Sequence, residues 1–264
     1  MTTSKAGRVL VSAEGAIGWL RLDNQERLNA ISLSMWEELG VGVDSFQEND
    51  AIKVVVVTGA GGKAFCAGGD ISEFETLRSG ANAVSYGEIG KAVLHRLKWL
   101  PKPTIAAIDG YCLGGGMALA LNCDLRIAAD TAQLGIPAAK RGQSYEYTNV
   151  KLLADLVGPS AAKLILFTAR RFGAEQALKK GLVDDIVPAA DLRDHVEQLA
   201  NIISANAPLS IAGIKFAVNT AMADPDQRDL AACAVQAAAC LASEDYAEAT
   251  RSFMEKRPPV FKGR

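Results

Sequence analysis

The sequence predicts an α/β fold that ends in a purely helical region. Short apolar runs, typical of buried strands, alternate with helical segments along the first part of the chain. From Asp191 onward only helical patterns follow, interrupted at Ala207-Pro208 and at Asp224-Pro225-Asp226. The chain has 264 residues, of which 49% are hydrophobic, so it is long enough to enclose a sizeable core. We therefore predict a core over residues 1–195 and a C-terminal helical region over residues 196–264.

The first half of the chain carries clear strand and helix signals. Its apolar runs predict strands at 8–12, 17–22, 54–58 and 104–108. Ser32 can cap a helix that runs to about Gln47, because its hydroxyl can accept a hydrogen bond from the first turn. A second helix is predicted from Ala83 to Trp99, ahead of Pro101 and Pro103, which favour an extended chain.

The second half contains shorter strands and more helices. Further strands are predicted at 125–128, 133–134 and 182–187. Helices are predicted from Gly158-Pro159-Ser160 to Ala169 and from Ala174 to Gly181, where a glycine can end the helix. The small, apolar residues at 231–242 suit a helix that packs closely against other helices.

Two glycine clusters are the most informative segments, and each follows an apolar strand. Residues 109–118 read Asp-Gly-Tyr-Cys-Leu-Gly-Gly-Gly-Met-Ala, and residues 64–70 read Ala-Phe-Cys-Ala-Gly-Gly-Asp. In the first cluster a tight turn leads into a helix through Leu121. A helix that begins on glycines presents unpaired backbone N–H groups at the positive end of its dipole. Two such turns can together hold an oxygen that gains negative charge during a reaction.

These two segments resemble the paired motifs of the crotonase superfamily, which includes enoyl-CoA hydratases and isomerases. The similarity runs from Asn24-Gln25-Glu26-Arg27-Leu28-Asn29-Ala30 to the ending at residues 253–261. The resemblance implies a spiral of ββα units followed by a helical region that mediates trimer contacts. It also implies that the backbone N–H groups of Gly69 and Gly115 bind the oxygen of a CoA thioester.

The same resemblance implies a set of residues that contact CoA. CoA is then part of the substrate, and we predict no separate cofactor. The predicted CoA-binding residues are Arg27, Leu28, Ala30, Lys63, Ala67 and Phe261, the last of which can reach CoA on a neighbouring subunit. We expect a homotrimer or a dimer of trimers.

Two positions depart from the pattern of the hydratases in this family. Those enzymes move protons with two glutamates, one placed three residues after the middle glycine of the triplet and one placed directly after a proline. The matching residues here are Ala118 and Ala138, the latter after Pro137. A methyl group cannot accept a proton, so the usual hydratase mechanism cannot operate through these positions.

The segment just beyond Ala138 offers two replacements, Tyr145 and Glu146. Tyr145 matches a tyrosine found in family members that decarboxylate malonyl-type CoA esters, a reaction that needs an oxyanion hole and one proton donor. Glu146 is a candidate for a displaced base. The sequence therefore predicts a hydratase/isomerase-like acyl-CoA enzyme, with malonyl-type decarboxylation or acyl-CoA binding without catalysis as alternatives. Each residue also has a non-catalytic interpretation. Tyr145 can serve only for packing, and Glu146 can be a solvated carboxylate of the loop.

Composition and net charge also bear on nucleic acids, membranes and metal ions as possible partners. The net charge is −2, which gives no reason to expect binding to nucleic acid or to an anionic membrane surface. The five cysteines form no Cys-x-x-Cys pair and only two histidines accompany them, so we predict no metal site. An odd number of cysteines, with no recognisable signal peptide and no apolar run long enough to cross a bilayer, favours the cytoplasm.

Overall fold

The computed structural model describes residues 7–70 and 81–264, and no side chain between 81 and 86. Its strands are β1 (Arg8–Glu14), β2 (Ile17–Asp23), β3 (Val54–Gly59), β4 (Ala64–Cys66), β5 (Thr104–Ile108), β6 (Tyr111–Leu113), β7 (Leu125–Ala129), β8 (Gln133–Gly135), β9 (Arg171–Gly173) and β10 (Asp185–Val187). Its α-helices are α1 (Leu33–Glu48), α2 (Ala81–Trp99), α3 (Gly115–Leu121), α4 (Tyr147–Thr168), α5 (Ala174–Lys179), α6 (Leu192–Ser204), α7 (Pro208–Met222), α8 (Leu230–Leu241) and α9 (Glu244–Glu255). Short 3₁₀ turns lie at Gln25–Arg27, Ala139–Arg141, Ala189–Asp191 and Pro225–Gln227.

The larger sheet has six strands in the order β1-β2-β3-β5-β7-β10. β1 and β2 are antiparallel, and the other neighbours are parallel. The four valines of β3 and all of β5 are buried, because side chains cover both faces of this sheet. The strands predicted at 8–12, 17–22, 54–58, 104–108 and 125–128 are all present here.

The smaller sheet has the order β4-β6-β8-β9. It arises because three long strands of the first sheet, β3, β5 and β7, each lead into a short strand of the second. A helix follows β6 and β8, so the chain advances through repeated ββα turns, and the predicted spiral fold is confirmed. Strands β4, β6 and β9 were not predicted, since each has only three residues and the first two read as parts of glycine turns.

One predicted helix is joined to another, and one predicted strand is shorter in the structure. The segment α4 consists of two helices that meet at Gly158 (φ 78°, ψ 158°), so the helix predicted from Gly158 to Ala169 is present, and the preceding helix from Tyr147 was not predicted. The strand predicted at 182–187 is confined to β10, since Leu182 and Val183 are buried in the core ahead of it. By contrast, Ser32 caps α1 as predicted, its hydroxyl accepting a hydrogen bond from Met35 N.

The end of the chain contains the four helices α6 to α9. α6 packs on the larger sheet through Leu192, Val196 and Ala200, so the predicted boundary at residue 195 falls inside this helix. The division into two units stays a prediction. α7 is held to the core by Lys215, whose ammonium lies 2.7 Å from the Asp124 carboxylate. Within the described ranges, none of the helices is both long and apolar enough to traverse a bilayer.

Candidate active site

The two glycine turns lie side by side at the carboxyl ends of β4 and β6. These strands pair in parallel, so the turns that follow them leave from the same edge of the sheet. A Cβ built on Gly115 would lie 3.3 Å from the backbone nitrogen of Gly69. The structure therefore brings together the two residues that the sequence predicted as oxyanion donors.

Both N–H groups are available to a ligand. Gly115 is the first residue of α3, where backbone N–H groups have no partner within the helix. Within residues 7–70 and 81–264, neither the Gly69 N–H nor the Gly115 N–H donates to a protein acceptor. Both residues are partly exposed, so an oxygen atom can approach them.

Glycine is required by close packing around this pair. A Cβ on Gly116 would lie 2.2 Å from the carbonyl oxygen of Cys66, a distance that no side chain tolerates. Gly68 (φ 118°) and Gly114 (φ 53°) adopt backbone conformations that residues with a Cβ rarely adopt. The glycines thus allow β4 and α3 to approach and aim both turns at one point.

A cavity of about 460 Å³ opens over the turns. It is bounded by the turns, by one face of α2 and by the loop ahead of α4. Its lining includes Trp36, Ala67, Gly69, Gly87, Gly90, Lys91, Leu94, Gly115, Ala118, Pro137, Ala138, Arg141, Tyr145, Glu146 and Asn149. Ala118 and Ala138 therefore face the same space, and Glu146 is the one carboxylate among the described lining residues.

Tyr145 is bonded to the oxyanion turn. Its hydroxyl donates a 3.0 Å hydrogen bond to the carbonyl oxygen of Gly114, which also accepts from Ala118 N at 3.0 Å. Burial raises the pKa of the Tyr145 phenol well above its usual range, so the phenol stays protonated at neutral pH. The phenol thus packs against the oxyanion turn and is hydrogen-bonded to it, and a catalytic role for Tyr145 stays a prediction.

Glu146 lies at the start of α4 and is held by a cation. The ammonium of Lys91 on α2 is 3.3 Å from the Glu146 carboxylate and 3.2 Å from that of Glu88. Hydrogen bonds to Glu88 and then to Glu146 raise the pKa of Lys91, so it remains charged. The Glu146 side chain is about two-fifths exposed (39%), at the open side of the cavity.

Sequence reasoning missed a pair of buried amides, one of which lies on the cavity wall. The amide nitrogen of Asn122 donates to the carbonyl oxygen of Ala118 (2.8 Å) and to the side-chain oxygen of Asn149 (3.3 Å). Asn149 also lines the cavity, and only 8% of it is exposed. A single asparagine in a helix forms no recognisable sequence pattern, so the sequence could not identify Asn149 as a lining residue.

The predicted CoA-binding residues divide into two groups. Near the cavity, Leu28 is exposed in the left-handed conformation, and its carbonyl oxygen accepts from Ala67 N. Arg27 forms an ion pair with Asp70 at 2.6 Å, and its carbonyl oxygen accepts from the N–H of the buried Ala30.

Lys63 and Phe261 lie outside this group. Lys63 is exposed on the turn between β3 and β4 and does not line the cavity. Phe261 is in the C-terminal segment, which is held to α9 by hydrogen bonds from Lys262 N and Gly263 N to the Asp245 carboxylate. Phe261 does not line the cavity of its own chain, and its contact with CoA on a neighbouring subunit stays a prediction.

The cysteines beneath the turns are not arranged for chemistry. Burial raises the pKa of Cys66 to about 12, and the pKa of the buried Cys112 is raised as well. Among the described residues, no group of three His, Cys, Asp or Glu side chains is placed to hold a metal ion.

Comparisons with known proteins agree with this geometry. Residues 12–264 match the family model described as enoyl-CoA hydratase/isomerase. The short-chain-enoyl-CoA hydratase of Clostridium acetobutylicum is 33% identical over 249 residues, which cover 94% of this chain and 95% of that protein. The carnitinyl-CoA dehydratase of Escherichia coli is 34% identical over 258 residues, covering 96% and 98%.

The fold is also shared with solved structures. A crystal structure described as an enoyl-CoA hydratase/carnithine racemase from Magnetospirillum magneticum superposes with a TM-score of 0.90 at 34% identity, over 98% of this chain and 97% of that one.

Proposed function

The chain belongs to the enoyl-CoA hydratase/isomerase family, and from this membership we propose that it binds an acyl-CoA thioester and stabilises its enolate with the N–H groups of Gly69 and Gly115. The observation that carries the proposal is the meeting of the two turns, with 3.3 Å between a Cβ position on Gly115 and the nitrogen of Gly69. Donors fixed in this way need no reorganisation when charge develops on the thioester oxygen.

The reaction that best fits the cavity is hydration or isomerisation with a displaced base. Ala118 and Ala138 stand where hydratases of this family place their two glutamates, and both line the cavity, so neither side chain can move a proton there. Glu146 is the carboxylate that remains among the described lining residues. In this proposal Glu146 exchanges protons with the substrate or with a water molecule, and Lys91 holds it in position.

One observation favours decarboxylation as a second candidate. The Tyr145 hydroxyl is bonded to the carbonyl of Gly114, the residue directly before the predicted oxyanion donor. In a malonyl-type CoA ester, the bond between the carboxylate and the α-carbon breaks, carbon dioxide leaves, and the electron pair forms the enolate. Tyr145 then gives its proton to the α-carbon, and no base has to remove a proton from carbon.

Mass spectrometry of purified protein with crotonyl-CoA, carnitinyl-CoA and methylmalonyl-CoA tests these proposals. Gain of water by crotonyl-CoA or loss of water from carnitinyl-CoA supports the first reaction, and loss of carbon dioxide from methylmalonyl-CoA supports the second. Isomerisation leaves the mass unchanged, so the thioesters are also separated by chromatography, which resolves double-bond isomers. If every thioester binds and neither its mass nor its retention changes, the protein is an acyl-CoA-binding protein without catalysis. If no thioester binds, the proposed function is wrong.

Two variants assign the proton-transfer group. Glu146→Gln should abolish hydration or dehydration, whereas the control Glu88→Gln removes a carboxylate from the same Lys91 without touching the cavity. Tyr145→Phe should abolish decarboxylation. Equal losses in Glu146→Gln and Glu88→Gln would mean that Glu146 acts only through its ion pair.

We also propose that the C-terminal helices assemble the protein into a trimer or a dimer of trimers. α8 and α9 expose large apolar side chains, among them Leu230 (70% exposed), Val235 (68%), Phe253 (82%) and Met254 (77%). Apolar residues exposed in this density on two adjacent helices are typical of surfaces covered by another chain.

A further inference from the structure

A second cavity adjoins the one above the glycine turns. It has a volume of about 510 Å³, and four residues line both cavities: Lys91, Leu94, Glu146 and Asn149. The two spaces therefore adjoin at these four residues, with the Lys91–Glu146 ion pair on their common border. A chain that extends from the thioester past this border enters the second cavity.

Helix α2 lines the two spaces in succession. Gly87, Gly90 and Lys91 face the first cavity, and His95 and Lys98 face the second. Lys98 lies seven residues beyond Lys91, which corresponds to two helical turns and about 10 Å along the helix. The ammonium of Lys98 is thus reached by the distal part of an acyl chain, not by groups beside the thioester.

Lys98 differs from the other lysines of these two cavities. Lys151 is bonded to the Asp155 carboxylate (2.7 Å) and to the carbonyl of Met222 (2.8 Å), and Lys91 has its two glutamates. The ammonium of Lys98 has no hydrogen-bond acceptor and no ion-pair partner within the part of the chain that the structure describes; its ring contact is with Trp99, at 5.9 Å from the centroid.

The surroundings of Lys98 partly desolvate its charge. The side chain is partly buried, and burial lowers the pKa of Lys98; the nearby charge of Lys151 lowers it as well, whereas that of Asp155 raises it. The charges that line the second cavity are balanced, with Lys91, Lys98 and Lys151 matched by Glu146, Asp155 and Asp224. A partly desolvated cation without an ion pair gains more from an incoming anion than an exposed one does. The rest of the wall includes the apolar side chains of Leu152, Trp99 and Met222, which suit a methylene chain.

We propose that the second cavity takes the distal end of the substrate's acyl chain and that this end carries a carboxylate that pairs with Lys98. The preferred substrates are then mono-CoA esters of dicarboxylic acids. Lys98 is a specificity-determining residue in this proposal and takes no part in the chemistry at the thioester. The inference rests on the proposed function, since the chain must first bind acyl-CoA at Gly69 and Gly115.

Isothermal titration calorimetry with matched esters tests the proposal without requiring turnover. The probes are adipyl-, suberyl- and sebacyl-CoA, each compared with hexanoyl-, octanoyl- or decanoyl-CoA of the same chain length. Where the chain is long enough to reach Lys98, we expect the dicarboxylic ester to bind about tenfold more tightly, the effect typical of a charge-assisted hydrogen bond. Lys98→Met should remove this preference while leaving the affinity for the fatty acyl esters unchanged.

Lys163→Met is the matched control, because it removes the same charge from an exposed position on α4 that lines neither cavity. It should keep the preference intact. Equal affinities within every matched pair, or a preference that survives in Lys98→Met, would overturn the proposal while leaving acyl-CoA binding in place. Failure of all six esters to bind would overturn the proposed function together with this inference.

Discussion

Replacing Gly115 with proline removes one of the two proposed oxyanion donors. Gly115 is the first residue of α3, a position where proline is well tolerated because its fixed φ suits a helix start and no intrahelical hydrogen bond is lost. The substitution deletes the N–H and adds a ring. The added Cβ lies 3.3 Å from Gly69 N and 3.4 Å from the carbonyl carbon of Gly68, so both neighbours must shift by a few tenths of an ångström.

Gly115→Ala separates the two effects of the proline. Alanine adds a Cβ at the same place, with the same crowding against Gly69, but it keeps the N–H. The fall in kcat from wild type to the alanine variant therefore measures the cost of crowding. The ratio of kcat between the alanine and proline variants measures the contribution of the Gly115 N–H. Loss of one oxyanion donor typically lowers kcat by about 10²–10³-fold, or about 3–4 kcal/mol of transition-state stabilisation.

The assay is the rate of whichever thioester conversion the mass-spectrometric panel detects, measured for wild type, Gly115→Ala and Gly115→Pro under saturating substrate. Circular dichroism and thermal melting check that both variants are folded. We expect kcat to fall from alanine to proline by about two to three orders of magnitude. Equal rates in two folded variants would show that the Gly115 N–H takes no part in catalysis, and the oxyanion assignment would be wrong.

Four further predictions concern packing, reactivity, the pH dependence of stability, and assembly. Gly116→Ala should lower the free energy of unfolding by about 1–3 kcal/mol in urea titrations, because its Cβ would meet the carbonyl oxygen of Cys66 at 2.2 Å; the control Gly87→Ala, with no atom within 4 Å, should not lower it. Burial raises the pKa of Cys66 to about 12, so iodoacetamide at pH 8 should spare Cys66 in the native protein and alkylate it after unfolding in urea, and labelling of Cys66 in the native state would contradict this burial. The stability that the buried Cys66 thiol contributes should be complete below its ordinary pKa of 9.0 and be lost as the pH rises from there to about 12. Phe253→Asp should reduce the molar mass seen by light scattering from that of a trimer or hexamer to that of a monomer, and an unchanged mass would place the interface elsewhere.

The sequence predicted the larger sheet well because its strands carry continuous apolar runs. The valines of β3 and the apolar residues of β5 are buried on both faces, a pattern that leaves little choice of structure. The three-residue strands β4, β6 and β9 gave no such pattern, since they form only when the long strands have already placed them side by side. The start of a helix at Gly158-Pro159 was predicted correctly, whereas the preceding helix from Tyr147 was missed because its first turn, Tyr147-Thr148-Asn149, carries no apolar pattern.

The candidate site was predictable where backbone geometry dictates residue type. A Cβ at Gly116 would collide with β4, so the requirement for glycine is visible in the sequence itself. The positions of Tyr145 and Glu146 depend instead on how the loop before α4 folds over the turns, and the local sequence does not predict the course of this loop. Resemblance located Tyr145, and the polar segment beyond Ala138 suggested Glu146, but neither revealed the hydrogen bond to Gly114 or the ion pair with Lys91.

This division explains how one scaffold can stabilise an enolate while its reaction changes. The proposed oxyanion hole is made of main-chain atoms that β4, β6 and α3 hold in place, so substitutions at the cavity wall leave it intact. In the proposed reactions proton transfer depends on side chains, and because Ala118 and Ala138 cannot move protons, we assign it to Glu146 or Tyr145 on the loop before α4. Glu146 on that loop also borders the second cavity through its ion pair with Lys91. In the proposed binding mode, a distal carboxylate that reaches Lys98 passes close to Glu146, the proposed base. The two carboxylates repel each other, and the Lys91 ammonium beside Glu146 weakens this repulsion. Lys91 thus connects the choice of acyl group to the chemistry at the thioester.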